Sequence, residues 1–355
     1  MRLKPILALA VVLAAAGCGG GDGRDAGDTE TRERKVAPRQ PAERDRELAE
    51  AFSDEGWETN FGRLSVPLSE FLSGGPPKDG IPAIDEPKFE PVASADDWLS
   101  AREPVIELEV QGQVKAYPIQ ILIWHEIVND TIAATPVSVT FCPLCNTAIV
   151  FDRRVRSRRL SFGTTGKLRN SDLVMYDRQT ESWWQQFGGE GVVGRYTGEK
   201  LKQLPAQVVS WAEFRRMHPE GAVLSRETGH SRPYGENPYA GYDDVDSPPF
   251  FPARNSDDDR LPPKERVVYV ERGREAVAIP FSVLRSRKEL EVEVGGDTLT
   301  VRWRGGVASA LDADEVAGGR DVGAADVLLN GRRVPFDQPF WFAVASFRPD
   351  IRIVR

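Results

Sequence analysis

The sequence predicts an α+β protein that is mainly β, with two related β-rich lobes and a few short helices. Two observations predict this fold class. Short runs of alternating apolar and polar residues, rich in aromatic and β-branched types, recur after residue 97. One stretch of the chain also resembles a later stretch, which is the pattern of an internal duplication. We therefore expect lobe one at 97–242 and lobe two at 259–355, joined by an irregular, Pro-rich and acidic loop at 243–258.

The chain begins with a pattern typical of an export signal at residues 1–17. Two basic residues, Arg2 and Lys4, precede an apolar run that is too short to span a bilayer comfortably. The run ends in small residues directly before Cys18, which resembles the lipobox of bacterial lipoproteins. That resemblance implies cleavage before Cys18 and a lipid anchor on it. The alternative is a soluble secreted protein whose Cys18 leaves with the signal.

A lipid on Cys18 makes the membrane a partner of the protein. The expected location is then the cell envelope, on the outer side of the cytoplasmic membrane or in the outer membrane. The formal net charge is −8, and the largest basic cluster of the folded part is the arginine run at 153–159, which predicts a solvated hairpin. These charges argue against nucleic acid as a partner. The sequence identifies no protein partner.

Two segments separate the signal from lobe one. Residues 18–50 are Gly-rich and then charged, and they contain no aromatic residue. Such a segment cannot bury enough apolar surface to fold, so it predicts a disordered tether. Residues 51–96 are an N-terminal extension of the first lobe.

The internal duplication aligns 97–122 with 259–284 without a gap. On the same register Arg287 stands opposite His125. The identical positions are Asp97, Leu99, Glu103, Val105, Glu109, Ala116, Pro118 and Leu122, matched by Asp259, Leu261, Glu265, Val267, Glu271, Ala278, Pro280 and Leu284. A second match follows in the same order, with Trp211, Phe214 and His218-Pro219 resembling Trp341, Phe347 and Arg348-Pro349. Residues found in only one copy are better candidates for a functional site than residues found in both.

Each copy predicts a β-hairpin, then a proline, then a short helix. In copy one the helix is expected over 119–128. Further strands are predicted at 136–141, 147–152, 159–163, 173–177, 289–294 and 298–304, and further helices at 211–217 and 340–347.

Cys142 and Cys145 are the only cysteines besides Cys18, and their C-P-L-C spacing suits a disulfide, a soft metal or thiol exchange. The flanking residues are β-like on both sides. A thioredoxin-type site would place the cysteines at the start of a helix, whereas a metal knuckle is a tight turn between two strands. Asn146 can adopt the left-handed conformation that such a turn needs. The segment therefore resembles half of a metal site, although a structural disulfide stays open.

A knuckle supplies two ligands, and histidine is the natural complement because no second cysteine pair exists. His125 is the first choice, since the helix predicted before it leads directly into the strand carrying Cys142. Two cysteines and a histidine suit copper, zinc or iron. His218 and His230 are weaker candidates, and the alternative for His125 is a residue that only caps or packs.

A polar cluster at 168–186 is a candidate small-molecule cleft. Trp184 could stack on a ligand, and Arg169, Asn170 and Asp172 could orient it. The alternative is turn chemistry, because Asn, Ser and Asp cap turns with their own side chains. The sequence contains no Gly-rich phosphate loop, G-x-S-x-G elbow or H-E-x-x-H helix and assigns no reaction.

Five motifs in order resemble the bacterial family called domain of unknown function 3179. They are AYPIQIL, WHEIVND, VTFCPLCNTAIVFDR, LRNSDLVMYDRQTESWWQQ and VVSWAEFRRMHP, within residues 82–349. The resemblance implies an exported, often lipid-anchored protein whose central signature is C-P-x-C, and it implies no reaction. The family pattern points to His125, Cys142, Cys145, Asn170, Asp172 and Trp184.

The resulting hypothesis is a cell-envelope lipoprotein that binds a transition metal through Cys142, Cys145 and His125, for metal handling or redox work. Two alternatives stay open. One is a protein whose cysteines carry out thiol–disulfide exchange. The other is a non-catalytic ligand-binding or scaffold protein in which the cysteines form a structural disulfide.

Overall fold

Strands dominate the structure, a computed structural model that describes residues 38–355. The fold is mainly β, with 38% strand and 16% helix, and its helices are short, as the sequence predicts. The predicted signal peptide at 1–17 and Cys18 lie outside the described residues, as does most of the predicted tether. No helix between residues 38 and 355 has the length and apolar character needed to cross a membrane.

The strands of residues 51–242, which the sequence predicts to form lobe one and its N-terminal extension, come first in the chain. They are β1 (Leu72–Ser73), β2 (Phe89–Pro91), β3 (Pro104–Val110), β4 (Gln113–Pro118), β5 (Ile127–Ile132), β6 (Thr135–Cys142), β7 (Thr147–Asp152), β8 (Arg154–Val155), β9 (Arg158–Arg159), β10 (Phe162–Arg169), β11 (Asp172–Asp177), β12 (Trp183–Gln185), β13 (Glu190–Val193), β14 (Lys202–Leu204), β15 (Ala206–Ser210) and β16 (Ala222–Leu224). Lobe two contributes β17 (Val267–Arg272), β18 (Glu275–Pro280), β19 (Glu289–Val294), β20 (Asp297–Arg304), β21 (Ala324–Leu329), β22 (Arg332–Arg333) and β23 (Arg352–Ile353).

Six α-helices lie between these strands. They are α1 (Glu43–Asp54), α2 (Val92–Ala95), α3 (Ile119–His125), α4 (Trp211–Met217), α5 (Phe281–Arg287) and α6 (Trp341–Phe347), and two short 3₁₀ turns occur at Leu68–Glu70 and Val316–Gly318.

Five larger sheets and one two-stranded ribbon hold the strands in an arrangement like a five-bladed β-propeller. The strand orders are β1-β10-β11-β12-β13, β14-β7-β6-β5, β15-β3-β4-β16-β2, β17-β18-β23 and β19-β20-β21-β22, with β8-β9 as the ribbon. Strand β6 carries Cys142 and strand β11 carries Asp172, so these two residues come from different sheets.

The same order of elements occurs in both lobes. The hairpin β3–β4 is followed by α3 and the hairpin β5–β6, and β17–β18 is followed by α5 and β19–β20. In each lobe a later short strand pairs in parallel with the second strand of the first hairpin. The strand registers also match: Val105 pairs with Pro118 and Ile127 with Thr140 in lobe one, and Val267 pairs with Pro280 and Glu289 with Arg302 in lobe two.

Helix α3 is shorter than the helix predicted over 119–128. It begins directly after Pro118, whose ring fixes φ near the value that a first helical turn requires. It ends because Glu126 adopts the left-handed conformation, with φ 57°, and its N–H donates to the Leu122 carbonyl. Ile127 then begins β5, so the last residues of the predicted helix belong to a strand.

Part of the predicted tether is folded. Helix α1 starts at Glu43, inside the 18–50 segment. It forms because its apolar face packs against the folded part of the chain. Phe52 is buried, and its ring lies 5.2 Å from that of Trp183 in β12. At the helix start, Asp45 accepts hydrogen bonds from the N–H groups of Ala42 and Leu68, at 3.0 and 2.8 Å.

The largest hydrophobic core contains residues of both lobes and both cysteines. Val139, Phe141 and Met175 of lobe one belong to it, together with Phe340 and Phe342 of lobe two. Burying each such side chain contributes about 1.5–3 kcal/mol to folding. The cysteine segment is therefore enclosed by packing from both lobes.

Candidate metal centre

The cysteines lie in a tight turn between two antiparallel strands. Cys142 ends β6 and pairs with Thr147, the first residue of β7. Asn146 has φ 57°, the left-handed conformation that the sequence predicts. Its side-chain amide donates to the Gln338 carbonyl at 2.8 Å, and the N–H of Phe340 donates to the Cys145 carbonyl at 2.9 Å. Two hydrogen bonds to residues of lobe two, Gln338 and Phe340, therefore fix the cysteine turn in place.

Three potential metal ligands converge at this turn. Ligand atoms of Cys142, Cys145 and Asp172 all lie within 4.8 Å of one another, and all three side chains are buried. Both cysteines are free thiols rather than a disulfide. The Sγ atom of Cys145 lies 2.8 Å from Oδ1 of Asp172 and 3.0 Å from Oγ1 of Thr147.

Asp172 is held in place by its position in a hairpin. It is the first residue of β11 and follows Asn170 and Ser171, which both have positive φ and make the turn from β10. Its second carboxylate oxygen accepts hydrogen bonds from the N–H of Phe187, at 2.9 Å, and from the side-chain amide of Gln185. One oxygen is thus anchored while the other faces Cys145.

Hydrogen bonds also fix the polar groups behind the cysteines. The hydroxyl of Thr147 donates to the side-chain oxygen of Gln186 at 2.7 Å, and the amide of Gln186 donates to Thr140 at 2.9 Å. All three side chains are buried. Such outer contacts orient ligand side chains in metal sites.

Burial raises the pKa values of the acidic groups at this turn. It raises the pKa of the Cys142 thiol, raises that of Cys145 well above its ordinary value, and raises the pKa of Asp172 to about 6. Burial, followed by the charge of Asp172, raises the pKa of Glu126 to about 8. No arginine or lysine of residues 38–355 is among the groups that chiefly set these four pKa values.

His125 does not join this group, which corrects the ligand set expected from the sequence. Its Nδ1 lies 2.7 Å from the Pro82 carbonyl and therefore donates to it, and its Nε2 lies 2.7 Å from the hydroxyl of Tyr234. Both ring nitrogens are occupied, and burial lowers the His125 pKa to about 4. Asp172 is the third side chain beside the two sulfurs.

The other two histidines are also placed away from the cysteines. His230 is exposed, and its ring lies 5.4 Å from that of His125. His218 ends α4, with Nε2 3.3 Å from a carboxylate oxygen of Glu107.

The polar residues predicted to line a cleft bind separate partners in the structure. Arg169 pairs with Glu70 at 2.7 Å, and Asn170 accepts a hydrogen bond from the N–H of Arg254 at 3.2 Å. Trp184 is fully buried in the core, where its indole N–H donates to a carboxylate oxygen of Asp177 at 3.0 Å. Of the four, only Asp172 reaches the cysteines; Arg169 touches the site indirectly, through Gln185.

A protein-family model matches most of the chain. The family model described as "Protein of unknown function (DUF3179)" matches residues 78–351. The chain belongs to this family. The match covers residues 97–242 and 259–351 of the two predicted lobes and all three residues of the candidate centre, and it confirms the resemblance predicted from the motifs. No curated protein and no solved structure matches the chain significantly.

Glu126 is a residue near the cysteines that the sequence did not predict as part of the site. Glu126 is buried, and its charge contributes to the raised pKa of Cys142. The sequence feature that could have identified Glu126 is its position as a single acid between the apolar residues Ile123 and Ile127. The sequence of this segment is not repeated in copy two. The structure adds that Glu126 ends α3 at the edge of the cysteine site.

Proposed function

We propose that this protein binds one transition metal ion through Cys142, Cys145 and Asp172. The observation that carries the proposal is the convergence of three ligand atoms within 4.8 Å, in a buried site without a compensating cation among its main electrostatic neighbours. Buried acids without a positive partner are costly when ionised. A bound metal ion supplies that partner and ionises the thiols.

The donor atoms narrow the choice of metal. Thiolates suit copper(I), zinc and iron, whereas a carboxylate is a harder ligand that suits divalent ions. Two sulfurs and one carboxylate therefore favour zinc or iron(II) over copper(I). Because the sulfurs are buried, a protein substrate has no direct route to them, and the site suits metal retention better than exchange with a large partner.

The proposed setting is the cell envelope. The signal-like residues 1–17 and the lipobox-like residues before Cys18 support export and lipid anchoring. Retention of the lipid on Cys18 is tested by mass spectrometry of the mature protein from membranes. A mature chain that starts after Cys18 and lacks lipid excludes the anchor.

Metal analysis of the purified protein tests the proposed function. We expect one zinc or iron ion per chain in protein purified without chelator, or one ion taken up by the reduced protein under anaerobic conditions. Cys142→Ser and Cys145→Ser should each abolish retention on a desalting column. His125→Gln is the matched control and should retain the metal. Reduced, folded wild-type protein that takes up no zinc, iron or copper contradicts the proposal.

Thiol–disulfide exchange is a second candidate, favoured by the 2.8 Å contact between Cys145 Sγ and Asp172 Oδ1. A buried carboxylate of this kind accepts the thiol proton as a disulfide forms. In such a reaction the two thiols lose two protons and two electrons to a disulfide partner, which becomes a dithiol. Equilibration with glutathione redox buffers tests it. A single reversible transition between the dithiol and the disulfide forms supports exchange, and its absence excludes it.

We also propose that the two lobes arose by internal duplication. The matching registers of their hairpins support this origin. The N–H of Phe141 donates to the Glu126 carbonyl, and that of Trp303 donates to the Lys288 carbonyl, both at 2.8 Å. On this register Cys142 corresponds to Arg304. An experimental structure in which the two lobes fail to superpose over their hairpins and helices contradicts the proposal.

A further inference from the structure

Glu126 is a buried acid whose side chain has no hydrogen-bond or ion-pair partner among residues 38–355. Its exposed fraction is 7%, and no donor or cation among residues 38–355 forms a hydrogen bond or ion pair with its carboxylate. Buried polar groups are nearly always hydrogen-bonded, and buried carboxylates are usually paired. Neither oxygen of Glu126 is among the fully enclosed, unpaired atoms of the described residues, so the carboxylate keeps a small contact with solvent. An acid in so buried a position with no protein partner is a candidate for a functional role.

The backbone at Glu126 is fixed beside the metal centre. Its N–H donates to the Leu122 carbonyl at 2.7 Å, and its carbonyl accepts from Phe141, the neighbour of Cys142, at 2.8 Å. Asp172 is the charged group that acts on Glu126 most strongly. The position therefore brings a free carboxylate to the edge of the cysteine site.

The turn itself does not require an acid at this position. Lys288 occupies the corresponding place in lobe two, with the same left-handed conformation (φ 66°) and the same N–H bond to the residue four positions earlier, Leu284. There the side chain is exposed, and its Nζ lies 4.1 Å from the ring centre of Trp303. Since either residue satisfies the backbone, the acid in lobe one serves something other than the turn.

We propose that Glu126 provides the fourth ligand of a divalent metal ion, completing the site formed by Cys142, Cys145 and Asp172. This inference rests on the proposed metal-binding function. Glu126 lies outside the group of atoms within 4.8 Å, so its side chain turns toward the ion on binding. That rotation breaks no hydrogen bond within residues 38–355, because the carboxylate makes none there.

Four ligands of this composition define the class of metal. Two thiolates and two carboxylates form a closed, tetrahedral set that suits zinc or iron(II) and disfavours copper(I), which prefers sulfur alone. Their four negative charges leave an excess of two on a divalent ion, the same excess as in a site of four cysteines.

Cobalt(II) titration of the reduced protein under anaerobic conditions tests the assignment. Wild-type protein should bind one cobalt ion with a thiolate-to-cobalt charge-transfer band and the intense visible bands of tetrahedral cobalt(II). Glu126→Gln and Glu126→Ala should keep the charge-transfer band, lose the tetrahedral pattern and bind cobalt about tenfold more weakly or worse. Asp337→Asn is the matched control, because it removes another buried carboxylate next to the site and should leave the spectrum unchanged.

The outcomes separate the two proposals. If wild-type protein shows no charge-transfer band, the proposed metal function fails and Glu126 fails with it. If the band forms but both Glu126 variants match wild type, or if Asp337→Asn weakens binding as much as they do, Glu126 is not a ligand. X-ray absorption of the zinc-loaded wild-type protein needs no variant; two sulfur and two lighter neighbours are expected, and the outer-shell scattering of a coordinated imidazole overturns the assignment.

Discussion

Cys145 and Asp172 meet at 2.8 Å although they come from different sheets, Cys145 from the turn after β6 and Asp172 from the first position of β11. Each is positioned by its own hairpin turn, made with residues of positive φ. The sulfur and the carboxylate are both buried, so their proximity is not a surface coincidence. It is the contact on which the proposed centre depends.

Asp172→Asn should weaken metal binding more than a hundredfold while the apo protein stays folded. The amide keeps the shape of the side chain but cannot supply a charged ligand, and an amide oxygen is the weaker donor. Competition with a chromophoric chelator measures the affinity. Asp177→Asn, at the other end of β11, is the control and should bind the metal as wild type does. If Asp172→Asn binds the metal as tightly as Asp177→Asn does, Asp172 is not a ligand.

Metal affinity should rise with pH. Burial raises the pKa values of both thiols, and each thiol must lose its proton to bind the ion. Below those pKa values the two thiols alone should increase the apparent affinity by up to about a hundredfold for each pH unit, since each releases one proton. Ligation by Glu126 would release a third proton below its pKa of about 8. Isothermal titration in buffers of different ionisation enthalpy counts those protons. Affinity that is independent of pH between about 6 and 8 contradicts ligation by both thiols.

Much of the fold followed from local sequence patterns. The strand before Cys142, the turn with a left-handed Asn146 and the strand from Thr147 all lie where alternation and turn residues predict them. The helices after Pro118 and Pro280 follow from the restricted φ of proline. These features depend on neighbours in the chain, which a single sequence contains.

The third side chain at the cysteines could not be found in that way. The helix before His125 does lead toward β6, but its last turn directs the ring to the Pro82 carbonyl and Tyr234. Asp172 reaches the cysteines only because two sheets pack together, a long-range contact that no periodicity records. The sequence predicts that Asp172 orients a ligand in a cleft, with turn capping as the alternative. It predicts that Trp184 stacks on a ligand, but Trp184 is fully buried and fills the core.

Tyr242→Phe should lower the free energy of unfolding by about 0.5–1.5 kcal/mol and speed metal release. The Tyr242 hydroxyl donates to the Leu144 carbonyl at 2.8 Å, so it anchors the turn that carries both cysteines. Chemical denaturation and the rate of transfer to a chelator measure the two effects. Tyr239→Phe is the matched control, because the Tyr239 hydroxyl makes no hydrogen bond to another described residue. If Tyr242→Phe releases its metal at the same rate as wild-type protein, the hydrogen bond from Tyr242 does not restrain the turn.

His125 should make the protein less stable in acid. Its pKa is about 4 in the folded state because burial disfavours the charged ring, and about 6.5 in the unfolded chain. Between these values His125 binds more protons in the unfolded state than in the folded state, so its contribution to the free energy of unfolding increases with pH. The stabilisation is fully present above about pH 6.5 and is lost as the pH falls toward 4, an effect on the order of 3 kcal/mol.

His125→Gln removes this titration, so the difference in stability between wild type and the variant should increase with pH between about 4 and 6.5. The raised pKa values of Asp172 and Glu126 act in the opposite direction, but they do so in both proteins and cancel in that difference. Its absolute stability at pH 7 should also fall, because glutamine cannot satisfy both the Pro82 carbonyl and the Tyr234 hydroxyl with the same geometry. Urea denaturation of the apo protein at a series of pH values provides the measurement. His230→Gln replaces the exposed neighbour and should leave the wild-type slope in place. If the slope persists in His125→Gln and disappears in His230→Gln, the group that titrates is the exposed histidine and not the buried one.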